Sequence, residues 1–366
     1  MQIRQKLREV NWSNFLIKLI LTFVLFSTVP HVLFYIPYWL QLPPLSLNLG
    51  WEFNGDIYLP SYYLSIFYAM AGGCFIAFTI VRFDYKFNRQ IREVKTEQVS
   101  LEKIKIPIGG GNSLVGDLLK SPITPKNNAS VLIMCHGLGS KKEMLHYLGF
   151  PMAFMGFAVL LYDSRGHGET KFGKKFDSLY IIRDLSNVID YIQERAEELG
   201  DLSSDNIFVF GISMGGGVVL NEGYLDQRVK FVIACCSWAD YQMTATRKLK
   251  NLSERIVKAG YELQGINLTP SNLQNRLVSP ILNSFNKKKG FFEQPVDWRV
   301  DNDYRVMLAH CKDDEFINYE NFKINRDFLK MKSENYIVFD KGNHTFSGVE
   351  TSLMGKLLLW LWQRGY

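Results

Sequence analysis

The stretch 207–217, Ile-Phe-Val-Phe-Gly-Ile-Ser-Met-Gly-Gly-Gly, constrains this chain more than any other. Four successive apolar residues without polar alternation predict a strand buried on both faces. Gly-x-Ser-x-Gly then predicts a tight turn leading into a helix, an arrangement that lifts a serine hydroxyl above the end of a sheet. Gly211 and Gly215 suit so sharp a turn because β-carbons there would meet neighbouring backbone, while Ser213 takes the backbone strain. Ser213 is therefore the candidate nucleophile.

From about Ser100 onward, short apolar runs alternate with turn residues and amphipathic stretches, the rhythm of an α/β domain. Strands are expected at 101–108, 114–119, 131–135, 157–162, 207–210, 231–235, 306–309 and 336–339, and helices at 180–199, 214–222, 319–329 and 350–362. The segment 241–300 breaks the rhythm with Pro270, Pro280 and Lys287-Lys288-Lys289, and predicts an inserted cap. Leu249, Leu252, Ile256 and Val257 would line an apolar groove there. No internal repeat is present.

A serine hydroxyl is a weak nucleophile until a base takes its proton. Six histidines are available. His31 lies in an apolar run, His136 and His167 in glycine-rich loops, His146 in a helical stretch, and His310 at a strand end. His344 falls between the last expected strand and the final helix, where the base belongs in the order serine, acid, histidine. For the acid, 313–315 reads Asp-Asp-Glu after the strand 306–309. Asp314 is preferred on the spacing His-Gly-x-x-Asp-x-x-Val, with Ile317 as the apolar anchor. Cys311 replaces the glycine of that pattern, which keeps Asp313 as the alternative. Two oxyanion donors are expected: the Met214 N–H, at a helix N-terminus, and the Leu138 N–H in His136-Gly137-Leu138-Gly139. Gly137 and Gly139 let that loop approach the substrate, and His136 reads as structural.

Together with Asp163-Ser-Arg-Gly-His-Gly168, these motifs resemble the α/β-hydrolase superfamily, in the style of its serine-aminopeptidase-like and prolyl-oligopeptidase-like esterase branch. The resemblance covers about residues 100–366. It implies an α/β-hydrolase fold, a mostly parallel sheet with helices on both faces and an inserted cap. It also implies a serine hydrolase cleaving an acyl ester or thioester, lipid-like substrates included, with no metal or organic cofactor, and gives His167 an architectural role. Two other functions stay open: an aminopeptidase-like amide hydrolase, and a non-catalytic tethered binding or scaffold protein. Fold alone does not choose among them.

The first 95 residues lie outside the resemblance. No Asp, Glu, Lys or Arg occurs at 19–51 or 57–81, which predicts a hairpin of two transmembrane helices at about 19–40 and 60–81. Basic residues flank both ends, so the positive-inside rule predicts an integral membrane protein with its catalytic domain, 96–366, facing the cytoplasm and its helices contacting membrane lipid. The net charge of +6 comes with no nucleic-acid motif, so no nucleic-acid partner is expected. The five cysteines form neither a disulfide framework nor a metal signature, and the adjacent Cys235 and Cys236 read as small buried residues at a strand end.

Overall fold

The computed structural model describes residues 98–246, 271–283 and 302–366. Eight strands form one sheet: β1 (Ser100–Pro107), β2 (Ser113–Lys120), β3 (Ala129–Cys135), β4 (Ala158–Asp163), β5 (Leu202–Ile212), β6 (Val229–Cys235), β7 (Val306–Cys311) and β8 (Tyr336–Phe339). Their spatial order is β1-β2-β4-β3-β5-β6-β7-β8. β2 runs antiparallel to both β1 and β4, and the pairings from β4 through β8 are parallel.

The apolar runs account for this arrangement. β4 and β7 are buried at every position, as strands covered on both faces must be. Side-chain alternation divides each strand between two cores. On β5, Ile207 and Val209 join the core built with Ile181, Leu185, Val188 and Ile192 of helix α2 (Ser178–Glu194). Phe208 and Phe210 join the opposite core, with Leu148 and Met152 of α1 (His146–Phe154) and Leu353, Leu357 and Trp360 of α8 (Glu350–Trp362). The remaining helices are α3 (Met214–Val218), α4 (Tyr241–Ala245), α5 (Asn272–Val278), α6 (Asn302–Arg305) and α7 (Tyr319–Phe328).

Chain order positions the site. β4 lies on one side of β3 and β5 on the other, so the connections leaving β3 and β5 diverge at their carboxyl ends. Such a switch in strand order opens a crevice there. His136 follows β3 and Ser213 follows β5, so both lie at its rim.

The expected membrane hairpin is corrected. Among the described residues no helix is long and apolar enough to cross a membrane. The longest of them, α2, has 17 residues, about 26 Å at 1.5 Å per residue, and carries Arg183, Asp184 and Asp190. The segments 19–40 and 60–81 lie outside the described residues. The fold and the proposed chemistry are therefore carried forward without a transmembrane hairpin, a membrane-lipid partner or an integral-membrane localisation. The chain divides into two compact units, Met1–Arg92 and Glu93–Tyr366, and the sheet belongs to the second. Of the expected cap, α4, α5 and the turn to residue 283 are described; Leu249, Leu252, Ile256, Val257 and Lys287-Lys288-Lys289 lie outside the described residues.

Candidate active site

Ser213 stands between β5 and α3 with φ 58° and ψ −117°. A non-glycine residue held there costs of order 1–3 kcal/mol, and the surroundings enforce it. Its N–H donates to Cys235 O at 2.9 Å and its carbonyl accepts from Gly217 N at 3.1 Å. The flanking glycines are steric requirements: a β-carbon on Gly211 would lie 2.1 Å from Gly215 O, and one on Gly215 would lie 2.0 Å from Cys135 O.

His344 lies in the loop from β8 to α8, and its Nε2 is 2.8 Å from Ser213 Oγ. Nδ1 lies 2.8 Å from Asp314 Oδ2. Because a carboxylate can only accept, Nδ1 carries the proton and Nε2 is left to accept from the serine hydroxyl. Asp314 Oδ1 accepts from the backbone N–H of Phe316 at 2.8 Å and of Ile317 at 2.9 Å. Its side chain is fully enclosed, whereas that of His344 is 16% exposed. Burial pushes the Asp314 pKa up, but His344, His310 and the Ile317 N–H outweigh it and hold the carboxyl below its ordinary value.

The adjacent acid does something different. Asp313 accepts from Asn343 N at 2.8 Å through Oδ1 and from Gly342 N at 3.2 Å through Oδ2. It clamps the backbone that carries the imidazole and leaves the ring to Asp314. This loop needs holding, since Asn343 and Phe346 both have positive φ, 49° and 57°, with the Phe346 side chain fully buried beneath.

The expected oxyanion residues border the serine. The Met214 N–H follows it at the first position of α3. A β-carbon on Gly137 would lie 3.2 Å from Ser213 Cβ, so the loop carrying Leu138 runs alongside the hydroxyl. Gly139 N donates instead to His167 Nε2 at 3.1 Å, so that glycine amide serves the loop. His136 donates from Nδ1 to Gly137 O at 2.7 Å and accepts from Ser164 N at 3.1 Å. Burial pushes its pKa down to about 4, so it stays neutral and braces the loop.

Lys142 is a site-supporting residue that the sequence does not betray. Its side chain is fully buried, and Nζ reaches Asp163 Oδ2 at 3.1 Å and Glu169 Oε1 at 2.6 Å. Asp163 Oδ1 in turn accepts from Lys142 N at 2.8 Å. This network ties the end of β4 to the loop after β3. A single lysine in a polar stretch carries no sequence signal for such burial. A cavity of about 880 Å³ bounded by Arg165, Tyr180, Arg183, Glu222 and Arg228 has none of Ser213, Asp314 or His344 in its wall.

Residues 126–279 match the family described as serine aminopeptidase, S33. A Fusarium protein named Hydrolase LUC6 is 33% identical over 145 residues, 37% of this chain and 33% of the relative, so the match spans a third of that protein's length. Among solved structures, acylaminoacyl peptidase from Pyrococcus horikoshii superposes with a TM-score of 0.52 at 17% identity, covering 72% of this chain and 40% of the peptidase. The chain has the α/β-hydrolase fold. Another solved structure with this fold, the Pyrococcus furiosus esterase Pf2001, has a TM-score of 0.50 at 16% identity, covering 75% of this chain and 95% of the esterase. At such identity the likeness concerns the fold, and the chemistry of this chain has to be argued from its own side chains.

Proposed function

We propose that this protein is a serine hydrolase of the α/β-hydrolase superfamily that cleaves an acyl ester or thioester of a small molecule. One observation carries the reading: Ser213, His344 and Asp314 form an unbroken relay of two 2.8 Å contacts, with the serine lifted on a strained turn. In the first step Ser213 Oγ attacks the substrate carbonyl while His344 Nε2 takes its proton. Asp314 holds the ring by Nδ1–H and stabilises the imidazolium. The developing oxyanion is met by the N–H groups of Met214 and Leu138, each oxyanion donor being worth about 3 kcal/mol in such sites. His344 then protonates the leaving group, and water activated by the same ring releases the acyl group from Ser213. The catalytic domain in this reading is residues 96–366, with 241–300 as its inserted cap.

Cleavage of an amide is the second reading, favoured by the match over 126–279 to a family described as serine aminopeptidase. Fluorophosphonate labelling followed by a panel of p-nitrophenyl esters, acyl thioesters and aminoacyl amides separates the two. Labelling of the parent and not of Ser213→Ala, with esters or thioesters turned over fastest, is the expected result. Turnover of amides ahead of every ester replaces the first reading with the second. A folded protein that resists the probe defeats both and favours the binding-protein alternative.

A further inference from the structure

Cys236, His310 and Asp314 come from the residue after β6, from β7 and from the loop beyond it. Their ligating atoms nevertheless lie within 4.8 Å of one another, and all three residues are buried. The parallel pairing of β6 with β7 brings them together: Cys236 N donates to Ala309 O at 2.8 Å, beside His310. Cys236 has φ 46°, uncommon for a residue with a side chain. Asp314 Oδ2 lies 3.5 Å from His310 Nε2, close to the roughly 3.3 Å between two ligands on one tetrahedral ion with bonds of about 2.0 Å. Cys311, also buried, directly follows His310 on β7.

We propose that Cys236, His310 and Asp314 form an inhibitory site for a thiophilic divalent cation such as Zn²⁺, which on binding takes Asp314 away from His344. The inhibitory consequence rests on the serine-hydrolase reading; the binding does not. A donor set of one sulfur, one imidazole nitrogen and one carboxylate oxygen suits zinc, whereas magnesium and calcium want oxygen throughout. Burial favours the neutral thiol of Cys236, and only a cation with high affinity for sulfur displaces its proton. On binding, the thiol releases that proton to solvent and supplies a thiolate. His310 shifts its proton to Nδ1 and gives up its 2.8 Å bond from Nε2 to Ile317 O. Asp314 Oδ2 exchanges the His344 Nδ1–H for the metal, leaving the ring without the acceptor that orients it. Because His344 is the more exposed partner of the fully enclosed Asp314 side chain, the cation enters past the histidine loop, and inhibition sets in slowly.

The test uses the full chain with zinc chloride and, as a spectroscopic probe, cobalt(II) chloride. Expected are a time-dependent loss of p-nitrophenyl ester hydrolysis that EDTA reverses, and a thiolate-to-cobalt charge-transfer band in the near ultraviolet. Cys236→Ser, checked for folding by circular dichroism, abolishes the band. Relative to its own metal-free rate, its zinc inhibition weakens by at least ~10-fold, the size seen for losing even a second-shell partner. Cys236→Ala gives an independent variant should the serine form fold poorly. Absence of the band in the parent, its survival in both variants, or zinc inhibition of a variant at the parent's concentration overturns the site. The cobalt spectrum requires no turnover, so failure of the metal site is distinguishable from failure of the hydrolase reading, which shows as loss of fluorophosphonate labelling.

Discussion

Substituting Asp313 separates the two neighbouring acids by function. Asp313→Ala removes the 2.8 and 3.2 Å bonds to Asn343 N and Gly342 N and leaves the Asp314–His344 contact without its backbone clamp. Hydrogen bonds to charged groups reach about 1.5–3 kcal/mol, but Asp313 is exposed, so about 0.5–1 kcal/mol each is the better scale. Together they hold the loop by roughly 1–2 kcal/mol, a factor of about 5–30 in the population with the imidazole in place. Initial-rate kinetics on a p-nitrophenyl ester should show kcat lowered by that factor with KM unchanged, because the clamp touches the base and no substrate-binding group. Asp313→Asn keeps one acceptor oxygen and recovers about half of the lost free energy. The reasoning is refuted if Asp313→Ala is as damaging as Ser213→Ala while Asp314→Ala keeps most of the activity, since Asp313 would then be the acid that orients the ring. A well-folded Asp313→Ala with parental kcat would instead show that the loop holds without the clamp.

Replacing Asp314 by Asn should lower kcat by about 10⁴, because the amide reverses the donor–acceptor logic at Nδ1 and favours the wrong tautomer; the melting temperature shows whether the fold survives. Gly215→Ala places a methyl 2.0 Å from Cys135 O and should destabilise the protein by about 3 kcal/mol or abolish folding, read by urea unfolding. Glu222 has its pKa raised to about 7, above the ordinary glutamate value of 4.5, by burial first and by Asp226 second, against Ser186, Arg228 and Arg183. The folded state thus binds more protons than the unfolded one between about pH 4.5 and 7, so this group's contribution to stability falls as pH rises through that window. At 1.36 kcal/mol per pKa unit the ceiling is about 3 kcal/mol, reduced because Glu222 is only half-buried. Glu222→Gln should therefore raise the melting temperature at pH 8 and leave it unchanged at pH 4, and equal shifts at both would contradict the assignment.

Strand runs, elbow and chain order were legible because each is a local or one-dimensional property. A both-faces-buried strand writes itself as continuous Val, Ile, Leu and Phe, and Gly211 and Gly215 are demanded by clashes within a few residues and with the next strand. Hydropathy is equally local, yet it reports only which solvent a segment would tolerate. The hairpin it suggested at 19–40 and 60–81 lies outside the described residues, among which no helix is long and apolar enough to cross a membrane.

Spacing preferred Asp314 but, with Cys311 in place of the pattern's glycine, left Asp313 open. The turn after β7 encloses Asp314 among the Phe316 and Ile317 amides and leaves Asp313 facing the histidine loop. The burial of Lys142 between Asp163 and Glu169, and the meeting of Cys236 with His310 and Asp314, are likewise tertiary facts. Parallel strands place residues far apart in the chain side by side, and no periodicity encodes which pairs will touch. What the sequence determined by itself was the elbow and the chain order serine, acid, histidine, the pattern that the proposed chemistry needs. Which acid serves the ring, what braces it and what adjoins it were decided only when the sheet brought the ends of β5, β7 and β8 together, since hydrogen bonding over 2.8 Å depends on a side chain's position to within a fraction of an ångström.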